Sequence, residues 1–208
     1  MTFHDRKSTF DGICIELSFL EGKFYMIKHK NKIIFFLIAV GIIILGYFIS
    51  ANSFKPPKNF IPEREGFGFL NIFIRNFFSN ILLLGLALLG PISLLACGYQ
   101  LFSIGMGIYR IQILYSTTVS KALLGISVHG IGEIFVILLI MWISTKITFA
   151  WIRYLFKNED GIVRKVYAHY YSYKIIRIVS LIAIVLMLSS FLEVYWSLPF
   201  FETLFNKK

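Results

Sequence analysis

The chain has 208 residues, of which 57% are hydrophobic and 15% charged, and its mean hydropathy is +0.74. A globule of this size cannot hide so much apolar surface from water, which excludes a soluble domain, an intrinsically disordered chain and a small disulfide-stapled module. The 21 Lys+Arg against 11 Asp+Glu give a net charge of +10; the basic residues sit beside apolar runs, where they orient segments and meet anionic lipid rather than nucleic acid.

Residues 1–32 form a polar to amphipathic N-terminal arm ending in Lys23, Lys28, Lys30 and Lys32, and its middle reads as a helix lying on a membrane surface. The first span covers 33–50, uncharged and long enough to cross about 30 Å of hydrocarbon. The preamble is too long and the cleavage site too poor for a signal peptide, so this is an uncleaved anchor. Residues 51–70, with Pro56, Pro57, Pro62 and Gly66, are a loop. An interfacial aromatic lead-in then runs into a second span, 76–97, in which Pro91 is expected to kink the helix.

The next piece, 98–115, contains Gln100, Gly105, Gly107 and Arg110 and reads either as a weak span or as a re-entrant hairpin. The fourth span is 122–143. A basic, aromatic stretch follows over 146–177, including the tyrosine-rich run 167–173, which is expected to dock at the interface. The last span, 175–192, ends in the aromatic belt of Tyr195 and Trp196, and 197–208 is a short tail.

Lys/Arg excess marks the cytoplasmic side. Placing both dense basic clusters inside requires an even number of crossings between them, so 98–115 must cross. The expectation is therefore an all-α integral membrane bundle of five transmembrane helices, forming a single domain over 33–196. It sits in a bacterial cytoplasmic membrane with the N-terminus cytoplasmic and the C-terminus extracellular.

No nucleophile elbow, phosphate-binding glycine loop or zinc-spaced cysteine set is present, so no enzyme, cofactor or metal is expected. Gly85, Gly90, Gly98, Gly105, Gly107, Gly125, Gly130 and Gly132 are read as positions where helix backbones approach closely. The sharpest feature is His129 and Glu133, four residues apart and so on one helical face, in the middle of an apolar span. A carboxylate there is expensive unless paired, protonated or hydrated. The pair is either a polar clasp, with Glu133 bonding His129 and Arg110, Asn76, Asn80 or Gln100 on neighbouring helices, or a proton-handling or substrate-contacting site. Arg110 alternatively snorkels to the interface.

Three features together resemble the stage II sporulation protein M family. They are Asn76-Phe77-Phe78-Ser79-Asn80, the glycine-spaced body from Gly85 through Gly98 to Gly105 and Gly107, and His129-Gly130-x-x-Glu133. The resemblance implies a non-enzymatic membrane component. Its namesake is similar to an anchor for a peptidoglycan-degrading complex, and other members occur beside circular bacteriocin genes, where they serve maturation, export or immunity. The expected partners are accordingly lipids and other membrane proteins, either ABC transporter subunits or a cell-wall hydrolase complex, with a homo-oligomer open and nucleic acid excluded. The alternative is a small proton-coupled transporter or channel subunit using Glu133 and His129.

Overall fold

The structure, a computed structural model, describes residues 33–57, 68–157, 161–172 and 174–205. The surface helix expected in the N-terminal arm lies outside the described residues. The chain divides into two compact units, 1–40 and 41–208; the described part of the first, 33–40, is helical throughout. Helices account for all regular structure among the described residues. Five are long and apolar enough to cross a membrane, as the hydropathy pattern requires, because a backbone in hydrocarbon must satisfy its own N–H and C=O groups. The protein is a multi-pass membrane protein.

Helix α1 spans Ile33–Ser53. Helix α2, Phe69–Leu86, tightens into a 3₁₀ turn at Ala87–Leu89. Helix α3 is Pro91–Leu114 and α4 is Val119–Lys157. A short α5, Ile162–Tyr167, continues into a wider π turn, Ala168–Ser172. Helix α6, Ile175–Leu192, passes through a second π turn, Glu193–Ser197, into α7, Leu198–Phe205.

Two boundaries correct the sequence reading. The expected spans 76–97 and 98–115 divide at the wrong residue, because Pro91 does not kink a helix but opens one. Gly90 stands at φ +54° and ψ −93°, a conformation that side chains rarely adopt, and Pro91 follows at the first helical turn, where its missing N–H is no loss. Glycine and proline together make a tight hairpin, and residues 98–114 are the continuation of a helix 24 residues long. The expected fourth span, 122–143, is likewise too short. At 39 residues, α4 is about 58 Å long, and Ser144, Thr145 and Thr148 donate back to the carbonyl oxygens four residues earlier.

Within residues 41–208, α4 is the central element. Its Val136, Ile140, Ile143 and Ile147 are fully buried, as are Leu101 of α3 and Ile182 and Leu186 of α6. At Gly46 and Gly105 a side-chain carbon would run into the carbonyl oxygens of Phe102 and Ile43 respectively, so α1 and α3 meet backbone to backbone, as small residues permit in membranes. By contrast, a Cβ on Gly85, Gly98 or Gly107 would meet nothing within 4 Å, and one on Gly130 only Ile126 of its own helix. Those four do not serve the helix packing expected of them among the described residues.

Candidate functional site

His129 and Glu133 do share one face of α4, but they do not bond to each other. The Asn76 side-chain amide on α2 donates to Glu133 Oε1 at 2.6 Å, and His129 Nδ1 shares a 2.7 Å hydrogen bond with the Ser197 hydroxyl. What brings Ser197 there is Gly132, where a Cβ would collide with Ser189 Oγ of α6. The two backbones close in at that point, and α6 then widens into the π turn that carries Glu193 and Ser197 over the His129–Glu133 face. Such turns inside α-helices occur frequently at functional sites.

Two cavities flank the Asn76–Glu133 bond. One, of about 340 Å³, is lined by Asn71, Arg75, Asn76, His129, Glu133 and Glu193, together with Ile72. The other, of about 310 Å³, shares Arg75, Asn76 and Glu133 and adds Ser79, Asn80, Gln100 and Ser103. Both lie at the small end of ordinary ligand sites, about 300–1,000 Å³, and both combine polar side chains with exposed residues such as Arg75. Arg75, Glu133 and Glu193 line the first cavity together, so one guanidinium and two carboxyl groups share that space.

Asn80, buried one turn beyond Asn76, donates its amide to the Asn76 carbonyl oxygen at 2.9 Å. Its own carbonyl oxygen, Oδ1, has no partner. Gln100 of α3 donates to the Ser79 hydroxyl at 3.2 Å. Arg110 stands elsewhere, exposed, with its guanidinium 5.4 Å from the ring centroid of Phe54 just beyond α1. It is therefore not a neighbour of Glu133, since its position on α3 lies beyond α1's contact with that helix.

Of the residues singled out from sequence, Asn76, Asn80, His129 and Glu133 converge and Arg110 does not. Sequence reasoning missed Arg75, Glu193 and Ser197. Arg75 sat in what read as a lead-in, and Glu193 in what read as an interface belt, two settings where a charge is unremarkable. Among the described residues no three His, Cys, Asp or Glu side chains converge in a way that could hold a metal ion; the Asn76–Glu133 and His129–Ser197 hydrogen bonds join the helices around the site.

At the opposite end of α2, the tyrosine run docks onto the hairpin. Tyr171 donates to the Leu84 carbonyl oxygen at 2.6 Å, and Tyr167 donates to that of Leu88, carbonyls that a helix end leaves short of partners.

A family model described as Stage II sporulation protein M matches residues 33–198. No curated protein and no solved structure matches the chain.

Proposed function

The chain belongs to the stage II sporulation protein M family, and we propose that within it the protein is a non-enzymatic scaffold or export-associated subunit acting through contacts with other membrane proteins. The observation that carries this reading is how α4 uses its two polar groups. Glu133 holds α2 through Asn76, and His129 holds the end of α6 through Ser197. Each is a clasp between helices, fixing a register rather than presenting a nucleophile. The partners consistent with this role are a cell-wall hydrolase complex, which the protein would anchor, or the subunits of an ATP-driven exporter of a bacteriocin-type peptide, where it would serve maturation, secretion or immunity. In this reading the N-terminus is cytoplasmic and the C-terminus extracellular in the bacterial cytoplasmic membrane.

The test is co-purification from native membranes in mild detergent, with mass spectrometry of the companions, for wild type, Glu133→Gln and Glu133→Ala. The Gln variant keeps an oxygen for the Asn76 amide and should retain companions and abundance. The Ala variant strands that amide, a loss of about 1–3 kcal/mol, and should lose both. Cell-wall hydrolases among the companions select the anchor; an ATP-binding transporter subunit selects export.

A second reading, a proton-coupled transporter or channel subunit, is favoured by one observation: the polar cavities lie on either side of Glu133. It predicts that Glu133→Gln abolishes transport at normal abundance, and that result would remove the pure clasp.

A further inference from the structure

The end of the bundle away from the cavities carries a row of basic side chains. Arg164 and Lys165 of α5 are exposed, and so are His169, Lys174 and Arg177. Lys165 and His169 stand four residues apart and Lys174 and Arg177 three, so each pair shares a face. The Lys174 ammonium donates to His169 Nε2 at 2.8 Å and joins the two pairs. That bond uses one of its three N–H groups and leaves two.

Acids are missing from the surroundings of this row among the described residues. The sequence holds no Asp or Glu from 161 to 192. Helices α2 and α4 both pack on α6; α2 carries no acid, and the single acid of α4, Glu133, lies in its N-terminal half. Glu159 and Asp160, which precede α5, lie outside the described residues.

The row also stands where a span meets water. Helix α6 begins at Ile175, which places Lys174 and Arg177 at headgroup depth. Below them the same face turns apolar: Leu181, Ile184, Leu188 and Phe191 follow Arg177 at helical spacing and are between 41% and 57% exposed. A soluble anion or an acidic protein would use the cations alone. A phospholipid uses both parts, the cations for its phosphate and the apolar stripe for its chains.

We propose that Lys174 and Arg177, extended by Lys165 through His169, bind the phosphate of an anionic phospholipid whose acyl chains lie along Leu181, Ile184 and Leu188. The site goes beyond both readings of Glu133 and depends on neither, since it lies at the other end of the bundle.

The experiment uses the full chain in detergent, stripped of lipid, with phosphatidylglycerol and phosphatidylcholine as probes and native mass spectrometry as the readout. Saturable binding of a single phosphatidylglycerol is expected, with phosphatidylcholine, which has the same chains and no net charge, about tenfold weaker or more. The double variant Lys174→Gln/Arg177→Gln should weaken phosphatidylglycerol binding about tenfold or more, the effect of removing two charges beside a headgroup. Lys121→Gln, at an exposed lysine near the start of α4, should leave it unchanged. Should the double variant not stay monodisperse, Arg177→Gln alone decides, with a several-fold loss expected. Glycerol 1-phosphate in large excess, a headgroup without chains, should not displace the lipid. Equal affinity for the two lipids, an equal loss in Lys121→Gln, or full affinity in the folded variants overturns the site. Displacement by glycerol 1-phosphate overturns the lipid and leaves a site for phosphate alone.

Discussion

The two ends of α4 solve the same problem in opposite ways. Toward its C-terminal half the polar groups form a closed relay: the Ser144 hydroxyl shares its one proton between the Ile140 carbonyl oxygen of its own helix and Ser93 Oγ of α3, each at 2.8 Å, and Ser93 donates to the Leu83 carbonyl oxygen of α2 at 3.3 Å. All three helices are joined, Ser93 and Ser144 are fully buried, and Gly90 of the hairpin presses directly on Thr148. Around His129 and Glu133 the same helices part. Cavities open, a π turn replaces regular helix, and an amide oxygen goes unmatched. A bundle that can seal one end with serines and isoleucines has no structural need for two glutamates and an arginine at the other. The contrast puts the polar cavities, the π turn and the unmatched amide oxygen at one end of the helix and the sealed packing at the other.

The comparison breaks most severely at Gly90. A valine there must adopt a backbone conformation that costs about 1–3 kcal/mol and place its Cβ 2.8 Å from Thr148 Oγ1 and 3.2 Å from Thr148 backbone atoms. Gly90→Val should therefore destabilise by about 3 kcal/mol or more and sharply reduce monodisperse protein in size-exclusion chromatography. Gly107→Val, where a Cβ meets open space, is the matched control and should change the yield little. Similar losses for both would mean that the sealed end is not specially intolerant.

How much of this was readable from the chain differs between the two ends. Five apolar helices were legible because hydrocarbon imposes a length and a composition that few other structures share. Glu133 and His129 stood out for the same reason, since a charge in an apolar run is conspicuous. Arg75 and Glu193 complete the site, yet near the ends of spans charge carries no such signal, and only the packing at Gly132 and the π turn after Leu192 carry Glu193 toward Glu133. The Gly90-Pro91 step was misread as a kink although glycine past a helix end and proline at the next start is the ordinary signature of a break. Once span 76–97 had been drawn through it, the step had no other place. The serine relay left no trace, because Ser93 and Ser144 are 51 residues apart and serine is common in membrane helices.

A smaller change sharpens the contrast. Ser144→Ala removes the middle of the relay but leaves no cavity of consequence. Interhelical hydrogen bonds in membranes are worth about 0.6 kcal/mol on average and up to about 1.7, so the thermal midpoint should fall by only a few degrees, with the additional loss caused by Glu133→Ala at the far end unchanged when the two substitutions are combined. A non-additive loss in the double variant would show that the two ends are coupled and that the division drawn between them is too sharp.

The smallest effect expected lies outside the spans, where Tyr171 caps α2. Its phenol is pushed up to about 12 from an ordinary value near 10, chiefly by burial and then by the neighbouring Tyr167. The folded state thus keeps the proton that the Leu84 carbonyl oxygen needs at pH values where the unfolded chain gives it up. Because the folded value is the higher one, this stabilisation is complete below about pH 10 and is lost as pH rises toward 12. Tyr171→Phe removes the hydrogen bond, about 0.5–1.5 kcal/mol, and nothing else of similar size. The gap in thermal midpoint between wild type and this variant should be constant from pH 7 to about 9.5 and then narrow steadily. Other tyrosines titrate in both proteins and cancel in the difference. A gap that stays constant through pH 11.5 would show that Tyr171 holds the hairpin by its ring alone, and that the sealed end of the bundle does not extend to this cap.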